Sequence, residues 1–397
     1  MSAPEPLDAA PAAVSATTPD SALVELRWAT ARLPLPRPLQ AGALVIESRE
    51  YCCVRATLAC GSVGETFVMT RGLDVGGALE TLFAARALGG RPGRLDSLRG
   101  AVRNIGWDGA ISRAASAIRL AALDAAARAA GVPVWRLLGA ASAPSAPAVA
   151  VVGYATPGED PAAADVRGAL EAVAAGARTL KLMGGSGTPD DDLLRLRRVR
   201  DAVGAEVALA LDVNGAWPVA VAHEALPRLA AAGVVLVEEP WGYEHGLGGF
   251  DGLPAERPQL AFGEISASIV ELEGLARSGC VEHLRADATL TGGAESWREL
   301  SAAFAQPGVA LFPHFWPHLH RHLLALAPTA SYLECSLGDG DEFALGAFAA
   351  PAIALDGAGR IAAGEEAGFG VALDWERIAH HADEQPRRRS IDEKELR

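Results

Sequence analysis

Between Ala148 and Cys335 the chain repeats one texture, in which a short apolar run is followed by an amphipathic stretch with helical spacing. Eight such runs are present: Ala148–Gly153, Thr179–Met183, Val207–Val213, Val234–Glu238, Leu260–Glu264, His283–Asp287, Val309–His314 and Tyr332–Cys335. Short, near-continuous apolar runs are what strands buried on both faces look like. The helical stretches between them supply the crossovers that parallel neighbours require. Eight parallel strands in series predict an α/β fold, a modified (β/α)8 TIM-like barrel, compact beside the roughly 250 residues usual for that class.

Such barrels carry their chemistry at the carboxyl ends of the strands. Here polar residues mark those ends: Lys181 in Thr-Leu-Lys-Leu-Met, Asp212 in Leu-Asp-Val-Asn, Glu238 in Val-Glu-Glu-Pro and Glu264 in Phe-Gly-Glu. Asp287, His314 and Glu334 follow, and the successive spacings are 31, 26, 26, 23, 27 and 20 residues. One polar group per unit makes them converge on a common mouth. Asp212, Glu238 and Glu264 would repel one another if buried together, so a divalent cation is expected between them. Ligation by oxygen alone favours Mg2+ over zinc. A single acid in such a place would read as a helix cap or a surface group, but three in register point to a metal. His314 and Asp287 end neighbouring strands, which lets the carboxylate orient the ring and raise its basicity as a general base. His318, His320 and His322 fall in the next helical stretch. No glutamate stands between His318 and His322 as a zinc-protease motif needs, so surface or interdomain packing is expected of these three rather than a second metal.

Residues 21–140 have a different texture. Strand-like segments Leu23–Ala31, Glu50–Leu58 and Thr66–Met69 are separated by Pro and Gly, including a loop at Leu33–Ala43, and helical patterns follow at Gly76–Leu88 and Ile111–Ala130. This reads as an α+β capping domain, joined to the barrel (147–340) by an Ala/Pro/Ser linker. Segment 341–380, with strand signals at Ala352–Leu355 and Val371–Asp374, is expected to return to the cap. Residues 1–20 read as a disordered tail, and 381–397, with the run Arg387–Arg389, as a solvated polar tail. A formal charge of −14 without a dense basic block excludes nucleic acid as an expected partner. Five cysteines without Cys-x-x-Cys spacing suggest neither disulfides nor zinc, and no apolar stretch reaches membrane-spanning length, so a cytoplasmic protein is expected.

From about Ala22 to Trp375 the sequence resembles the mandelate racemase subgroup of the enolase superfamily. The resemblance rests on the helix leading to Val-Pro-Val-Trp-Arg-Leu-Leu-Gly139, Asp212-Val-Asn214, Val-Glu238-Glu-Pro, Gly-Glu264, Asp287 with Gly292-Gly293, His314, and Pro328-Thr-Ala-Ser-Tyr-Leu-Glu334. It implies Asp212, Glu238 and Glu264 as magnesium ligands, His314 and Asp287 as the base dyad, and Glu334 as a hydrogen-bond donor to a developing enediolate. Lys181 matches the first lysine of the family's Lys-x-Lys pair, which contacts the substrate carboxylate, and Asn214 a position that touches a substrate hydroxyl. The departure is Met183, which stands where the second lysine, a base on the opposite substrate face, normally stands. Methionine accepts no proton, so the expected activity is dehydration of a small hydroxy carboxylate, a sugar acid, to a 2-keto-3-deoxy acid. A racemase or epimerase with another second base, and a non-catalytic metal-binding scaffold, are the alternatives. Trp241, Tyr243 and Trp316 are candidates to line the pocket, and the resemblance implies a symmetric homo-oligomer, a dimer or octamer.

Overall fold

The computed structural model describes residues 21–41, 44–95, 97–327, 329–337 and 341–391. The expected tail 1–20, the motif residue Pro328 and the last residues of the polar tail lie outside them. The chain opens with three antiparallel strands, β1 (Leu23–Ala41), β2 (Leu44–Leu58) and β3 (Val63–Met69). The expected loop at Leu33–Ala43 is corrected: β1 runs on through its described part to Ala41. In Leu33-Pro-Leu-Pro-Arg-Pro-Leu39 the leucines point inward and the prolines outward, and period two is a strand pattern whatever the residue types. The prolines are accommodated by a register shift between Pro34↔Ser48 and Leu39↔Ile46, an irregularity of the kind proline needs in a strand.

The cap sheet is buried on both faces. Cys52, Val54, Ala56 and Leu58 face the helix Gly109–Ala129, whereas Tyr51 and Cys53 join the core shared with the barrel. Asp108 caps that helix through the Gly109 amide. Its alanine face permits an unusually close approach, since a Cβ on Gly64 would lie 2.1 Å from the Ala125 nitrogen. The expected helix Gly76–Leu88 is a composite of Val75–Ala78, a π-helical turn Leu79–Ala84 and Ala85–Ala87.

Eight parallel strands follow: β4 (Ser145–Val152), β5 (Thr179–Met183), β6 (Ala208–Asp212), β7 (Val234–Glu238), β8 (Gln259–Phe262), β9 (His283–Leu284), β10 (Ala310–Leu311) and β11 (Leu333–Cys335). They pair in the order β10-β9-β8-β7-β6-β5-β4-β11. The row closes where the Leu311 amide donates to Thr329 O (3.1 Å) and the Ser331 amide to Leu311 O (2.9 Å). Helices such as Pro161–Ala174, Pro189–Val203 and Val219–Ala231 cross over between the first strands. The β7–β8 connection holds only 3-10 turns at Tyr243–Phe250, kinked at Gly246. Val149, Ala210, Leu236, Ala261 and Phe312 form an apolar cluster of their own, drawn from strands all round the row.

After β11 the chain leaves the barrel. β12 (Ala349–Ala350) pairs with β14 (Ala372–Leu373), and β13 (Arg360–Ala362) runs antiparallel to the start of β4. The strand expected at Ala352–Leu355 is absent, and the segment reaches β13 through the turn at Asp356, whose amide donates to Arg360 O. Beyond it the Phe369 amide donates to Asp124 (2.7 Å), and the Leu373 amide and Trp375 indole to Glu65 (3.1 and 2.7 Å), which fastens this segment to the cap. Arg388 and Arg389 are exposed, as the expected solvated run requires, but they stand in a strand. β15 (Arg387–Ser390) pairs with β1 at the sheet edge, where a basic strand discourages further pairing. Among the described residues, no helix is long and apolar enough to cross a membrane.

Candidate active site

The polar residues at the strand ends come together in a buried charge cluster above the barrel floor. Asp212 and Glu238 are the last residues of β6 and β7, aligned across the ladder, and Glu264 follows β8 by two residues. One carboxylate oxygen from each of these three lies within 4.8 Å of the others. Lys181, at most 2% exposed, sends its ammonium to Asp212 (2.9 Å), Glu238 (2.7 Å) and Glu334 (2.7 Å). Burial alone would lower that lysine's pKa, but the three carboxylates hold it well above its ordinary value. Lys181 is therefore a fixed cation and not a base.

Sequence reasoning missed Arg285. Its guanidinium is fully buried over the Phe312 ring (3.9 Å), donates to Glu238 through Nε (2.6 Å) and to Glu334, and donates to Phe312 O (3.1 Å) and Pro313 O (2.9 Å). Its only sequence signal is an arginine inside an apolar run, two residues before Asp287. Glu334 is thereby surrounded, with Lys181 on Oε1 and Arg285 and the Phe315 amide (3.0 Å) on Oε2. Burial opposes its ionisation, yet Arg285 and Lys181 hold it well below the usual carboxylate range. In this arrangement Glu334 accepts from Lys181, Arg285 and the Phe315 amide, whereas the resemblance implies a donor at this position.

The four carboxylates Asp212, Glu238, Glu264 and Glu334 face two cations, Lys181 and Arg285, so full ionisation leaves two negative charges. Burial and then Glu238 push Asp212 up to about 6 and Glu264 well above its ordinary value. A charge deficit of two among hard oxygen donors fits a divalent ion such as Mg2+, with Asp212, Glu238 and Glu264 as the groups that could hold it. Glu239, buried with φ 39°, accepts from the Gly263 (2.7 Å) and Glu264 (3.3 Å) amides and is pushed up to about 8 by burial. It holds the turn that carries Glu264.

His314 Nδ1 meets Asp287 Oδ2 at 2.9 Å, and Nε2 lies 3.7 Å from Glu264. The other Asp287 oxygen accepts from the Thr289 amide and hydroxyl, both at 2.7 Å, and the Trp316 indole donates to Oδ2 at 3.1 Å. Burial would raise Asp287, but its contact with His314 and the neighbouring groups holds it well below the usual range. His314 Nδ1–H therefore points at a permanent carboxylate, and Nε2 is the nitrogen left for chemistry. Asn214, in the left-handed region at φ 52°, donates its amide to Asp212 Oδ1 (3.0 Å). Met183 ends β5 opposite Asp212 in the ladder.

The three neighbouring histidines are buried, which corrects the surface reading. His320 lies between Phe315 O (Nδ1, 2.6 Å) and the Ala288 amide (Nε2, 3.1 Å), so it braces the turn after Asp287. The aromatic candidates separate as well. Trp316 is buried against Asp287, whereas Trp241 and Tyr243 line a cavity on the β7–β8 flank that includes Glu239 but none of the strand-end groups.

A parallel barrel and an antiparallel cap, with three convergent carboxylates and the His314–Asp287 pair at the strand ends, define a class of barrel proteins with a candidate metal centre. Residues 24–139 match the family model described as mandelate racemase / muconate lactonizing enzyme, N-terminal domain, and residues 163–377 the one described as enolase C-terminal domain-like. The chain belongs to the mandelate racemase / muconate lactonizing enzyme family of the enolase superfamily. It is 28% identical to the L-talarate/galactarate dehydratase of Salmonella typhimurium over 58% of this chain and 57% of that protein, little more than half the relative's length. It is 27% identical to the 3,6-anhydro-alpha-L-galactonate cycloisomerase of Streptomyces coelicolor over 70% of this chain and 74% of that one. A racemase from Streptomyces coelicolor A3(2), solved with bound magnesium, superposes with TM-score 0.80 and 25% identity over 91% of this chain and 99% of its own.

Proposed function

We propose that this enolase-superfamily enzyme is a magnesium-dependent acid-sugar dehydratase. The observation that carries the reading is the pairing of His314 with Asp287, while Met183, at the end of β5, stands where the resemblance would place a second base. The similarity to an L-talarate/galactarate dehydratase supports it, and so does the donor set of Asp212, Glu238 and Glu264, which suits the magnesium found in the superposed racemase.

Magnesium, when bound, supplies the positive field that makes the proton next to a carboxylate removable. Lys181 adds a second fixed positive charge beside the substrate carboxylate. His314 Nε2 takes the α-proton while Asp287 holds the resulting imidazolium in place. The imidazolium returns that proton to the β-hydroxyl, the C–O bond breaks, and water leaves. The enol so formed takes a proton from solvent at the β-carbon, gives up its hydroxyl proton to solvent, and becomes a 2-keto-3-deoxy acid. In the same reading the cap of residues 21–140, with its return segment 341–380, selects among acids, Asn214 touches a substrate hydroxyl, and the chain works in the cytoplasm as a homo-oligomer that sedimentation velocity would register.

The test is His314→Asn with Mg2+ and a panel of mono- and diacid sugars, monitored for 2-keto-3-deoxy products with a carbonyl reagent. Wild type is expected to form product, and the variant to lose at least about a thousandfold in kcat with unchanged Mg2+ affinity. Near-normal turnover in the variant would remove the base assignment.

A further inference from the structure

The connection between β7 and β8 leaves a gap in the outer layer of the barrel. It makes only the 3-10 turns Tyr243–Phe250, whereas the connections on either side carry the helices Val219–Ala231 and Ile269–Arg277. The cavity on this flank has a volume of about 380 Å3, within the range of pockets that hold small organic ligands. Its floor is a triad of buried rings, Trp241, Phe250 and Phe262, with centroids 5.3, 5.1 and 5.2 Å apart. Trp241 lies close under the turns because Gly249 has no side chain: a Cβ there would stand 2.2 Å from the indole nitrogen. The rim is Tyr243, Leu247, Ile265 and Val270, four of the ten large hydrophobic side chains that are exposed among the described residues. Apolar groups concentrated in this way mark a binding site, which the same groups scattered singly would not. A buried floor beneath an exposed rim gives depth, and depth suits a small molecule better than a flat protein face.

One wall of the cavity is the back of the metal centre. In β8, Ala261 belongs to the apolar cluster inside the barrel and Phe262 faces outward to the cavity. Glu239 and Gly263, both on the cavity wall, are the chain neighbours of Glu238 and Glu264. Glu239 Oε1 accepts from the Gly263 (2.7 Å) and Glu264 (3.3 Å) amides, and its other oxygen accepts no hydrogen bond among the described residues. Other polar groups of the wall are already partnered, since Ser266 donates to Glu271 (2.6 Å) and Arg277 to Glu273 (2.6 Å). Glu239 therefore brings a spare hydrogen-bonding atom to an apolar cavity, and it is tied to the turn that carries a metal ligand.

We propose that this cavity is a regulatory site for a flat, uncharged, mainly apolar molecule with one hydrogen-bond donor, of the indole or phenol class, and that its occupancy is coupled to Mg2+ binding at Asp212, Glu238 and Glu264. The ligand's ring packs on the aromatic floor and its donor meets Glu239. Apolar walls penalise a charge on the ligand. The filled cavity holds the Gly263–Glu264 turn in the position from which Glu264 reaches the ion, so ligand and Mg2+ strengthen each other by the same factor. The inference does not rest on which acid the barrel acts on.

The experiment is isothermal calorimetry of the full chain with indole and with N-methylindole, which lacks the donor, each in the presence and absence of Mg2+. Indole is expected to bind with a Kd below about 1 mM, and N-methylindole about fivefold to tenfold more weakly. Saturating indole should tighten Mg2+ binding by about fivefold, and Mg2+ should tighten indole binding equally. Gly274→Leu is the blocking variant. Gly274 lies on the helix that walls the cavity, a Cβ there would meet only Leu247 at 4.0 Å, and leucine favours a helix more than glycine does, so the fold is spared while the space is taken. This variant should lose indole binding and keep its Mg2+ affinity. Failure of wild type to bind indole, or binding that survives Gly274→Leu, would overturn the site. Indole binding that leaves Mg2+ affinity unmoved would overturn the coupling. A sedimentation coefficient lowered by Val270→Asp, with no indole bound by wild type, would make this face a contact between subunits and overturn the proposal as well.

Discussion

At the scale of single residues, the site is a charge-balancing problem solved by position. Lys181 and Arg285 share Glu238 and Glu334 between them, and every guanidinium nitrogen of Arg285 is committed. Removing that cation leaves two buried carboxylates under-compensated, so Arg285→Gln is expected to cost about 3 kcal/mol of stability in denaturant titrations. Added Mg2+ should restore more stability to that variant than to wild type, because its centre lacks more positive charge. Unchanged stability in the variant would mean that Arg285 does not hold the cluster. Asp212, Glu238, Glu264, Asp287, His314 and Lys181 were legible before the structure because each ends one repeat of a regular series. Arg285 and Glu239 were not, since they stand beside the expected residues and act by holding them, and no spacing records that.

At the scale of elements, the barrel was readable and the cap less so. Continuous apolar runs report strands buried on both faces, and each of the eight runs contains or overlaps a strand of the parallel row, although β9 and β10 are shorter than their runs. The proline-rich end of β1 and the arginine-rich β15 were obscured because residue types that favour loops and solvated ends occupy ladder positions there. The junction of β3 with the helix Gly109–Ala129 depends on Gly64, whose missing side chain lets the Ala121 and Ala125 backbone come close. Gly64→Ala must push the helix away or distort the strand, with an expected loss of about 3 kcal/mol. A variant melting within a degree of wild type would show that the contact is looser than described.

At the scale of the whole molecule, the return of the chain from the barrel to the cap makes one body of the two domains, and the histidines buried near that return tie its stability to pH. Burial pulls His318 and His320 down to about 4 and His322 to about 3, below the ordinary value of about 6.5 that they regain on unfolding. The unfolded state then binds more protons between about pH 6.5 and 4, so stability is full above that window and falls as pH drops through it. Each histidine contributes a slope approaching about 1.4 kcal/mol per pH unit. His322, buried edge-on to Phe369, is the cleanest to remove: His322→Phe should lower proton uptake on unfolding at pH 5 by about one, measured from the pH dependence of the denaturation midpoint. The central claim concerns the reaction itself, and proton NMR of turnover in D2O with Mg2+ and the sugar acid selected from the panel tests it most directly. The account predicts a 2-keto-3-deoxy acid carrying one deuterium at C3, with no deuterium at C2 of recovered substrate. Deuterium at C2 with inversion and no loss of water would contradict it and make the enzyme an epimerase.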